Sequence, residues 1–309
     1  MNLKIYKIQV NILINSKKIL KKFLIKYIMI LLKYIRWRRI NKNTFQFAPE
    51  GWNEKIEKLD IEKVYEYKNE NKILQGIVDS CDKDYNLHIN LGNKLEGIIP
   101  RNEVENLENE IPSEKLCIGK VNKYVQFKIK NVEENGRVVL SRKSVQEDAI
   151  KYVKDNVKVG QNLIGIVKNI RPYGAFIEIG GGIVGLAHIE DLSVARIKTP
   201  FERLKIGQKI NVVVKSIEKD TGRINLSYKE TLGTWEDNVK KFSSGMTVPG
   251  IIRETEKNKN GIFIELTPNL VGMAEYTEGY TYGQKVNVYI KKIDNERKKV
   301  KLMIEAKNI

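Results

Sequence analysis

Two aromatic residues, Tyr173 and Phe176, lie three positions apart around Gly174 in a stretch rich in β-forming residues. Positions three apart in an extended strand face opposite sides, but a backbone kink at the glycine would bring both rings to one face. Two exposed rings at this spacing form a surface on which bases can stack, at about 1–3 kcal/mol per base with little dependence on base identity. The pattern predicts a stacking surface for single-stranded nucleic acid.

A histidine and three basic residues accompany the two rings. His188 ends the third predicted strand, where its imidazole can stack on a base or donate a hydrogen bond to phosphate. Arg223 and the nearby Lys215 and Lys219 supply positive charge along the path of a phosphate backbone. Together these side chains predict a site that binds an extended polyanion by stacking and by charge.

Aromatic residues in a β-strand belong more often to the core than to a binding surface. The aliphatic residues around the two rings argue against that interpretation, because they already supply the interior of a small barrel. They are Ile170, Ile177, Ile179, Val184 and Leu186. We therefore expect Tyr173 and Phe176 to face solvent.

Residue types that would indicate catalysis or metal binding are sparse. The two histidines are His88 and His188, and the two cysteines, Cys81 and Cys117, do not form a Cys-x-x-Cys pair. Gly180–Gly182 lacks the Lys-Ser or Lys-Thr ending of a phosphate-binding loop and predicts a hairpin turn. We expect a protein without enzymatic activity, cofactor, metal or small-molecule substrate, located in a reducing cytoplasm.

Internal repeats indicate the elements that must position these residues. Three pairs of segments match one another: 136–143 with 222–229, 174–179 with 261–266, and 206–217 with 282–293. Each unit contains five short predicted strands between glycine-rich turns, a pattern typical of a closed barrel of the oligonucleotide-binding (OB) type. The sequence predicts an all-β fold of three tandem five-stranded OB barrels joined by short helices.

The predicted domains alternate barrels with connecting segments. In order, they are a linker at 50–71, a barrel at 72–143, a helix at 144–159, a well-preserved barrel at 160–230, a helix at 231–244 and a shortened barrel at 245–305. Ser144 and Glu147 form a capping-box pattern for the first connecting helix, and Thr234 and Asp237 mark the start of the second. The 50–71 linker is expected to contain one helical turn.

Residues 1–49 form a basic extension with 12 Lys or Arg and no Asp or Glu. They account for most of the net charge of +17, since residues 50–309 carry +5. Apolar residues from Ser16 to Arg39 follow a helical period, but no apolar run approaches the roughly 20 residues of a membrane span. The interpretations are a basic amphipathic helix on RNA or a membrane, an organellar targeting segment, and, favoured over these, a disordered extension or a translation start downstream at Met29.

The second predicted barrel resembles the S-one (S1) RNA-binding domain family over its whole length. The matching residues are Gly165, Val167, Tyr173–Phe176, Gly185–His188, Gly207–Gln208 and Gly222–Ser227. The resemblance implies that Tyr173, Phe176, His188 and Arg223 line an RNA-binding face. Over 50–309, the segments 47–52 (FAPEGW) and 232–245 (LGTWEDNVKKFSSG) are similar to those of three-domain ribosomal-protein-S1-like proteins of clostridial and related bacteria.

The other two barrels depart from this pattern. The third has Asn260 in place of the first ring and Glu275 in place of the histidine, while Phe263 and Lys299 remain. We expect it to bind RNA more weakly or to contact a protein.

In the first barrel, Tyr85, His88 and Arg137 occupy the matching positions after a shift of one residue, and Pro100 replaces the histidine. We expect a degraded RNA face that serves in docking.

These patterns predict a non-catalytic protein that binds single-stranded RNA, in particular mRNA, during translation, with the small ribosomal subunit as a partner. The alternative is a protein-interaction scaffold on the ribosome or the RNA-decay machinery, for which RNA contact is secondary. A membrane-tethered RNA binder that uses residues 1–49 is the least favoured possibility.

Overall fold

A computed structural model describes residues 47–107, 110–256 and 261–305. Nearly all of the predicted basic extension at 1–49, with its proposed helix and membrane contact, lies outside these described residues. So does Asn260.

The first barrel consists of strands β1 to β5, which close in the order β1-β2-β3-β5-β4. Their bounds are β1 Leu74–Cys81, β2 Leu87–Gly92, β3 Leu95–Ile99, β4 Tyr124–Val132 and β5 Val138–Ser141. A short helix, α2 (Glu114–Ile118), lies between β3 and β4. Inward side chains such as Leu87, Ile99 and Phe127 fill the interior, as the two-residue alternation of each strand requires.

The segment before the first barrel is more ordered than the predicted linker. It contains a nine-residue helix, α1 (Ile61–Asn69), instead of one turn. Asp60 caps the helix by accepting a hydrogen bond from the Lys63 amide at 2.9 Å, and Val64 and Tyr67 bury its inner face.

The second and third barrels repeat the same topology. The second comprises β6 Asn162–Arg171, β7 Gly174–Gly180, β8 Ile183–His188, β9 Lys209–Ile217 and β10 Ile224–Ser227. The third comprises β11 Thr247–Glu256, β12 Gly261–Thr267, β13 Leu270–Glu275, β14 Lys285–Asp294 and β15 Lys299–Ile304. In each barrel the third and fifth strands pair in parallel and close the sheet. The predicted all-β fold of three five-stranded barrels is confirmed.

The connecting helices differ in how they begin. The first, α3 (Lys143–Asn156), starts before Ser144, so the capping box predicted at that residue is wrong. The hydroxyl of Ser141, at the end of β5, accepts the Ser144 amide at 3.0 Å and takes the place of the predicted cap. The second, α4 (Trp235–Val239), has the reciprocal Thr234–Asp237 capping box that the sequence predicts.

A buried ionic network joins the first two barrels. The Arg142 guanidinium, which lies between β5 and α3, donates to the Glu50 carboxylate at 2.6 and 3.1 Å and to Glu105 at 2.7 Å. Burial alone would raise the pKa of Glu105, but the charges of Arg142 and Lys120 and the hydrogen bonds to this carboxylate together lower that pKa to about 2. The Glu50 amide in turn donates to Glu178 of the second barrel at 2.8 Å. The network thereby fixes the segment before the first barrel to both barrels.

Candidate nucleic-acid interface

The two aromatic residues predicted to stack on bases form one exposed pair. Pro172 and Tyr173 make the turn between β6 and β7, and Phe176 follows on β7. The ring centroids of Tyr173 and Phe176 lie 6.1 Å apart with the planes at 83°, an edge-to-face arrangement. The Tyr173 side chain is 50% exposed and Phe176 is half-buried, so both rings present surface to a ligand.

The predicted kink at Gly174 does not bring the rings together. Tyr173 lies in the turn, outside the strand, and is therefore free of the alternation that governs Phe176. Gly174 is buried instead, and a methyl group on it would overlap the carbonyl oxygen of Ala187 on β8. This close approach lets the Ile189 amide donate to the Tyr173 carbonyl at 2.8 Å, which anchors the turn.

His188 and Arg223 lie on the same outer face as the two rings. His188 pairs with Gly174 across β7 and β8 and is exposed. Arg223 comes just before β10 and is two residues from Asn225, whose Cα pairs with Leu186. Since Leu186 also pairs with Phe176, the register places Phe176 and His188 on neighbouring strands and Arg223 at the start of the next one.

The two predicted lysines differ in their surroundings. Lys219 is exposed in the turn between β9 and β10. Lys215 donates to both carboxylate oxygens of Asp191 at 2.8 and 2.9 Å, and this hydrogen bond raises the pKa of Lys215. Its charge is thus balanced within the protein, whereas Arg223 and Lys219 have no carboxylate partner among the described residues.

A row of outward-facing residues, not predicted from the sequence, crosses the whole second barrel. Cα pairing aligns five residues on successive strands: Asn169, Phe176, Leu186, Asn225 and Ser216. The signal that could have found them is the alternation of each strand, counted from Phe176. Asn169 is exposed, and its side-chain oxygen accepts a hydrogen bond from the backbone amide of Ile170 at 2.9 Å.

Two residues predicted to lie in the core are outside it. Val184 is 46% exposed, and Leu186 is half-buried on the outer row. The alternation of β8 turns Ile183, Gly185 and Ala187 inward, so the two residues between them face outward. The other three predicted core residues, Ile170, Ile177 and Ile179, are buried.

The matching face of the first barrel is engaged by internal contacts. His88 is held between two carboxylates, with Nδ1 2.6 Å from Glu96 and Nε2 3.2 Å from Asp82. Partial burial would lower the pKa of His88, but the hydrogen bonds and negative charges of the two carboxylates together raise that pKa. The guanidinium of Arg101 lies 4.8 Å from the centroid of the Tyr85 ring and covers it.

The remaining predicted residues of the first barrel do not rebuild the face. Arg137 is exposed in the turn before β5. Pro100, at the position equivalent to the histidine, introduces a single 3-10 turn at Arg101–Glu103.

The face of the third barrel keeps part of the pattern. Phe263 is half-buried at the position of Phe176, and Lys299 is exposed at the start of β15. Glu275 is exposed at the position of the histidine, with its carboxylate 3.7 Å from Lys291.

No group of three or more His, Cys, Asp or Glu within the described ranges is placed to hold a metal ion. No helix formed by these residues is long and apolar enough to cross a membrane.

The fold agrees with comparisons to known proteins. The model of the S1 RNA binding domain matches residues 67–143 and 156–229, which contain the first two barrels. This chain belongs to the S1 RNA-binding domain family. Its resemblance to that family, predicted from the motifs of the second barrel, is confirmed.

Relatives of this chain include the small ribosomal subunit protein bS1 of Staphylococcus aureus (strain COL), which is 32% identical over 269 residues. The bS1 protein of Staphylococcus haemolyticus (strain JCSC1435) is 30% identical over the same length. In both cases the alignment covers 80% of this chain and 66% of the relative. The solution structure of GSP13 from Bacillus subtilis is 29% identical and covers 25% of this chain and 60% of its own, with a TM-score of 0.25.

Proposed function

We propose that this S1-family chain is a non-catalytic protein that binds single-stranded RNA, in particular mRNA, in the cytoplasm and acts in translation at the small ribosomal subunit. The observation that carries the proposal is the exposed Tyr173–Phe176 ring pair, 6.1 Å between centroids, with His188 and Arg223 on the same face. The family description and the names of the bS1 relatives support it.

Binding in this proposal combines stacking with charge. Bases stack on the two rings without strong preference for sequence, and Arg223 and Lys219 attract the phosphates between them. Lys215 contributes less, because Asp191 already balances its charge. Several barrels on one chain add avidity, since an RNA strand bound by one barrel is presented to the next barrel at high effective concentration.

The three barrels contribute unequally. The second holds the primary site, while Phe263 and Lys299 give the third a secondary one. In the first barrel, Tyr85 and His88 are occupied by Arg101 and by two carboxylates, so Arg137 is left as its main contact.

The double variant Tyr173→Ala, Phe176→Ala tests the primary site. Loss of one stacked base costs about 1–3 kcal/mol, so the affinity for an oligouridylate should fall by at least about 5- to 150-fold. Fluorescence anisotropy of the labelled RNA measures this loss. Tyr65→Ala is the matched control, because Tyr65 is also 50% exposed but lies on α1, away from the face. An unchanged affinity of the double variant would exclude the proposed face.

A protein-interaction scaffold is the second candidate, favoured by the occupied face of the first barrel. In that case the chain would retain its partners after all RNA has been digested. Affinity capture of the full chain from a lysate, with and without nuclease, separates the two. RNA-dependent recovery of ribosomal proteins supports RNA binding, and recovery that survives digestion supports the scaffold.

A further inference from the structure

A strap of chain that precedes α1 crosses the first barrel from β1 to β2 and is anchored at both ends. The strap comprises residues 53–59, all of which are exposed except Leu59. At one end the Gln75 side-chain amide donates to the Asn53 carbonyl at 2.6 Å. At the other end the Leu59 backbone amide donates to the Leu91 carbonyl at 2.7 Å. The five residues between these anchors bridge the barrel surface.

A cavity of about 440 Å³ lies between the strap and the barrel. Its apolar walls come from the strap, the start of β1, β2 and β4, and they comprise Ile56, Leu59, Ile73, Leu74, Leu91 and Phe127. A second cavity of about 560 Å³ shares Ile56, Asn90 and Leu91 with the first, so the two adjoin at the strap. Sites for small ligands commonly measure about 300–1,000 Å³, so this cavity is large enough for two amino-acid residues.

One buried oxygen on the cavity wall lacks a hydrogen-bond donor. Gln126 on β4 lines the cavity and is 8% exposed. Its side-chain amino group donates to the Ala48 carbonyl at 3.0 Å, and because a carbonyl can only accept, this bond fixes the orientation of the amide. The Gln126 Oε1 atom has no hydrogen-bond partner among the described residues. A buried acceptor without a donor costs free energy, which a ligand that donates an N–H to this oxygen would recover.

The rim of the cavity carries an excess of positive charge. Lys55, Glu57 and Lys72 line it. The Glu57 carboxylate lies 3.8 Å from Lys72 and 3.9 Å from Lys63, and it also interacts electrostatically with Lys55. Since Lys72 interacts in turn with Glu70, three cations face two carboxylates. One positive charge is left over, and it favours an anionic group at the rim.

We propose that the cavity binds the C-terminal end of a partner protein whose last residues are apolar. The terminal carboxylate lies at Lys55 and Lys72, the last backbone N–H donates to Gln126 Oε1, and an aliphatic side chain fills the apolar part. Capture of a terminal carboxylate is a recurring mode of peptide recognition. The walls argue against an RNA base, because Phe127 is 1% exposed and has no free face for stacking. The inference goes beyond the proposed function and is independent of it.

The dipeptide N-acetyl-leucyl-leucine is the probe, and methyl NMR of the isoleucine and leucine residues measures its binding to the full chain. Shifts should centre on Ile56, Ile73 and Leu91, while Ile264 in the core of the third barrel stays unchanged. The same peptide amidated at its C terminus lacks the carboxylate and should bind about 1.4- to 5-fold more weakly, as expected for one exposed ion pair. The peptide methylated on its last backbone nitrogen lacks the donor and should bind about 2- to 13-fold more weakly.

Variants assign each contact to its residue. Lys55→Glu reverses one charge at the rim and should weaken binding about 2- to 30-fold, which corresponds to twice the free energy of one exposed ion pair. Lys83→Glu is the charge-matched control, because Lys83 is exposed in the turn between β1 and β2 and does not line the cavity. In Gln126→Leu the methylated and unmethylated peptides should bind equally. If this variant does not fold, the comparison of the two peptides on the wild-type chain decides the hydrogen bond.

The outcomes separate this site from its alternatives. Shifts at the cavity that weaken with the amidated peptide, the methylated peptide and Lys55→Glu, but not with Lys83→Glu, support the site. Unchanged methyl groups at millimolar peptide, or equal affinity for the carboxylate and amide forms, would overturn it. Displacement of the peptide by an oligouridylate would assign the cavity to RNA and overturn it as well. None of these results bears on Tyr173 and Phe176, so the proposed function stands or falls separately.

Discussion

Removal of the Arg142 side chain is expected to uncouple the first two barrels. Its guanidinium is buried and makes four hydrogen bonds, two to Glu50, one to Glu105 and one to the Val104 carbonyl. Arg142→Met fills much of the same volume but leaves the Glu50 carboxylate without its cation, while Glu105 keeps Lys120 at 3.2 Å. Breaking a buried ion pair from one side costs about 3–5 kcal/mol, because the remaining charge stays desolvated.

The loss in free energy of unfolding caused by Arg142→Met should lie within that range at neutral pH, where Glu50 and Glu105 are both ionised. Burial opposes ionisation of each, but Arg142 lowers the pKa of both carboxyls below the ordinary value. Adding Glu50→Gln to the variant should recover part of the loss, since it removes the carboxylate left without a cation. A double variant no more stable than Arg142→Met would argue that packing, not charge, holds the junction.

Hydrogen exchange of backbone amides is the suitable assay, because three barrels need not unfold as one cooperative unit. Protection should fall in the strands of the first barrel and around Glu178, and should be retained in the third barrel. Arg171→Met is the control, since Arg171 is exposed at the end of β6. A loss below about 1 kcal/mol for Arg142→Met, equal to that of the control, would refute the reasoning.

Two other predictions concern the second barrel. Burial and the Glu50 carboxylate raise the pKa of Glu178 from 4.5 to about 7, so the folded chain holds this proton more tightly than the unfolded chain. The free energy of unfolding should fall as pH rises through this interval, and denaturant titrations should show a smaller fall for Glu178→Gln; an identical pH profile would contradict the prediction. Gly174→Ala should push β7 away from β8, because the added methyl group would overlap the Ala187 carbonyl oxygen. The substitution should therefore lower both the melting temperature and the RNA affinity. A variant that melts and binds like the wild type would show that the strands tolerate the methyl.

The barrel architecture could be predicted because it depends on local patterns that recur three times. Glycines at equivalent positions show why: a Cβ on Gly165 would lie 2.5 Å from Ile177, and one on Gly250 would lie 2.5 Å from Ile264. Only a residue without a side chain allows the first strand of each barrel to cross the second so closely. This steric requirement is why glycine recurs at the equivalent position of each repeat in the sequence.

Contacts between distant residues could not be predicted in the same way. Lys215 and Asp191 are 24 residues apart, and the sequence around Lys215 does not show that its positive charge is balanced by this carboxylate. His88 lies within eight residues of both its partners, yet only the pairing of β2 and β3 brings the Glu96 carboxylate to its ring.

The rows of outward-facing residues follow from strand alternation, but the sequence does not give the register that aligns one strand with the next. Asn225 and Ser216 do not stand out among the polar residues of β10 and β9 until strand pairing places them side by side. The alternation of β8 likewise assigns Val184 to the surface once Gly185 is known to point inward.

Ultraviolet cross-linking of the full chain to an oligouridylate, with the attached peptides identified by mass spectrometry, tests the central claim most directly. The exposed ring pair should make the peptide containing Tyr173 and Phe176 the main site of attachment, with the peptide containing His188 next to it. Cross-links confined to the first barrel, or spread evenly over all three, would contradict the assignment of RNA binding to the face of the second barrel.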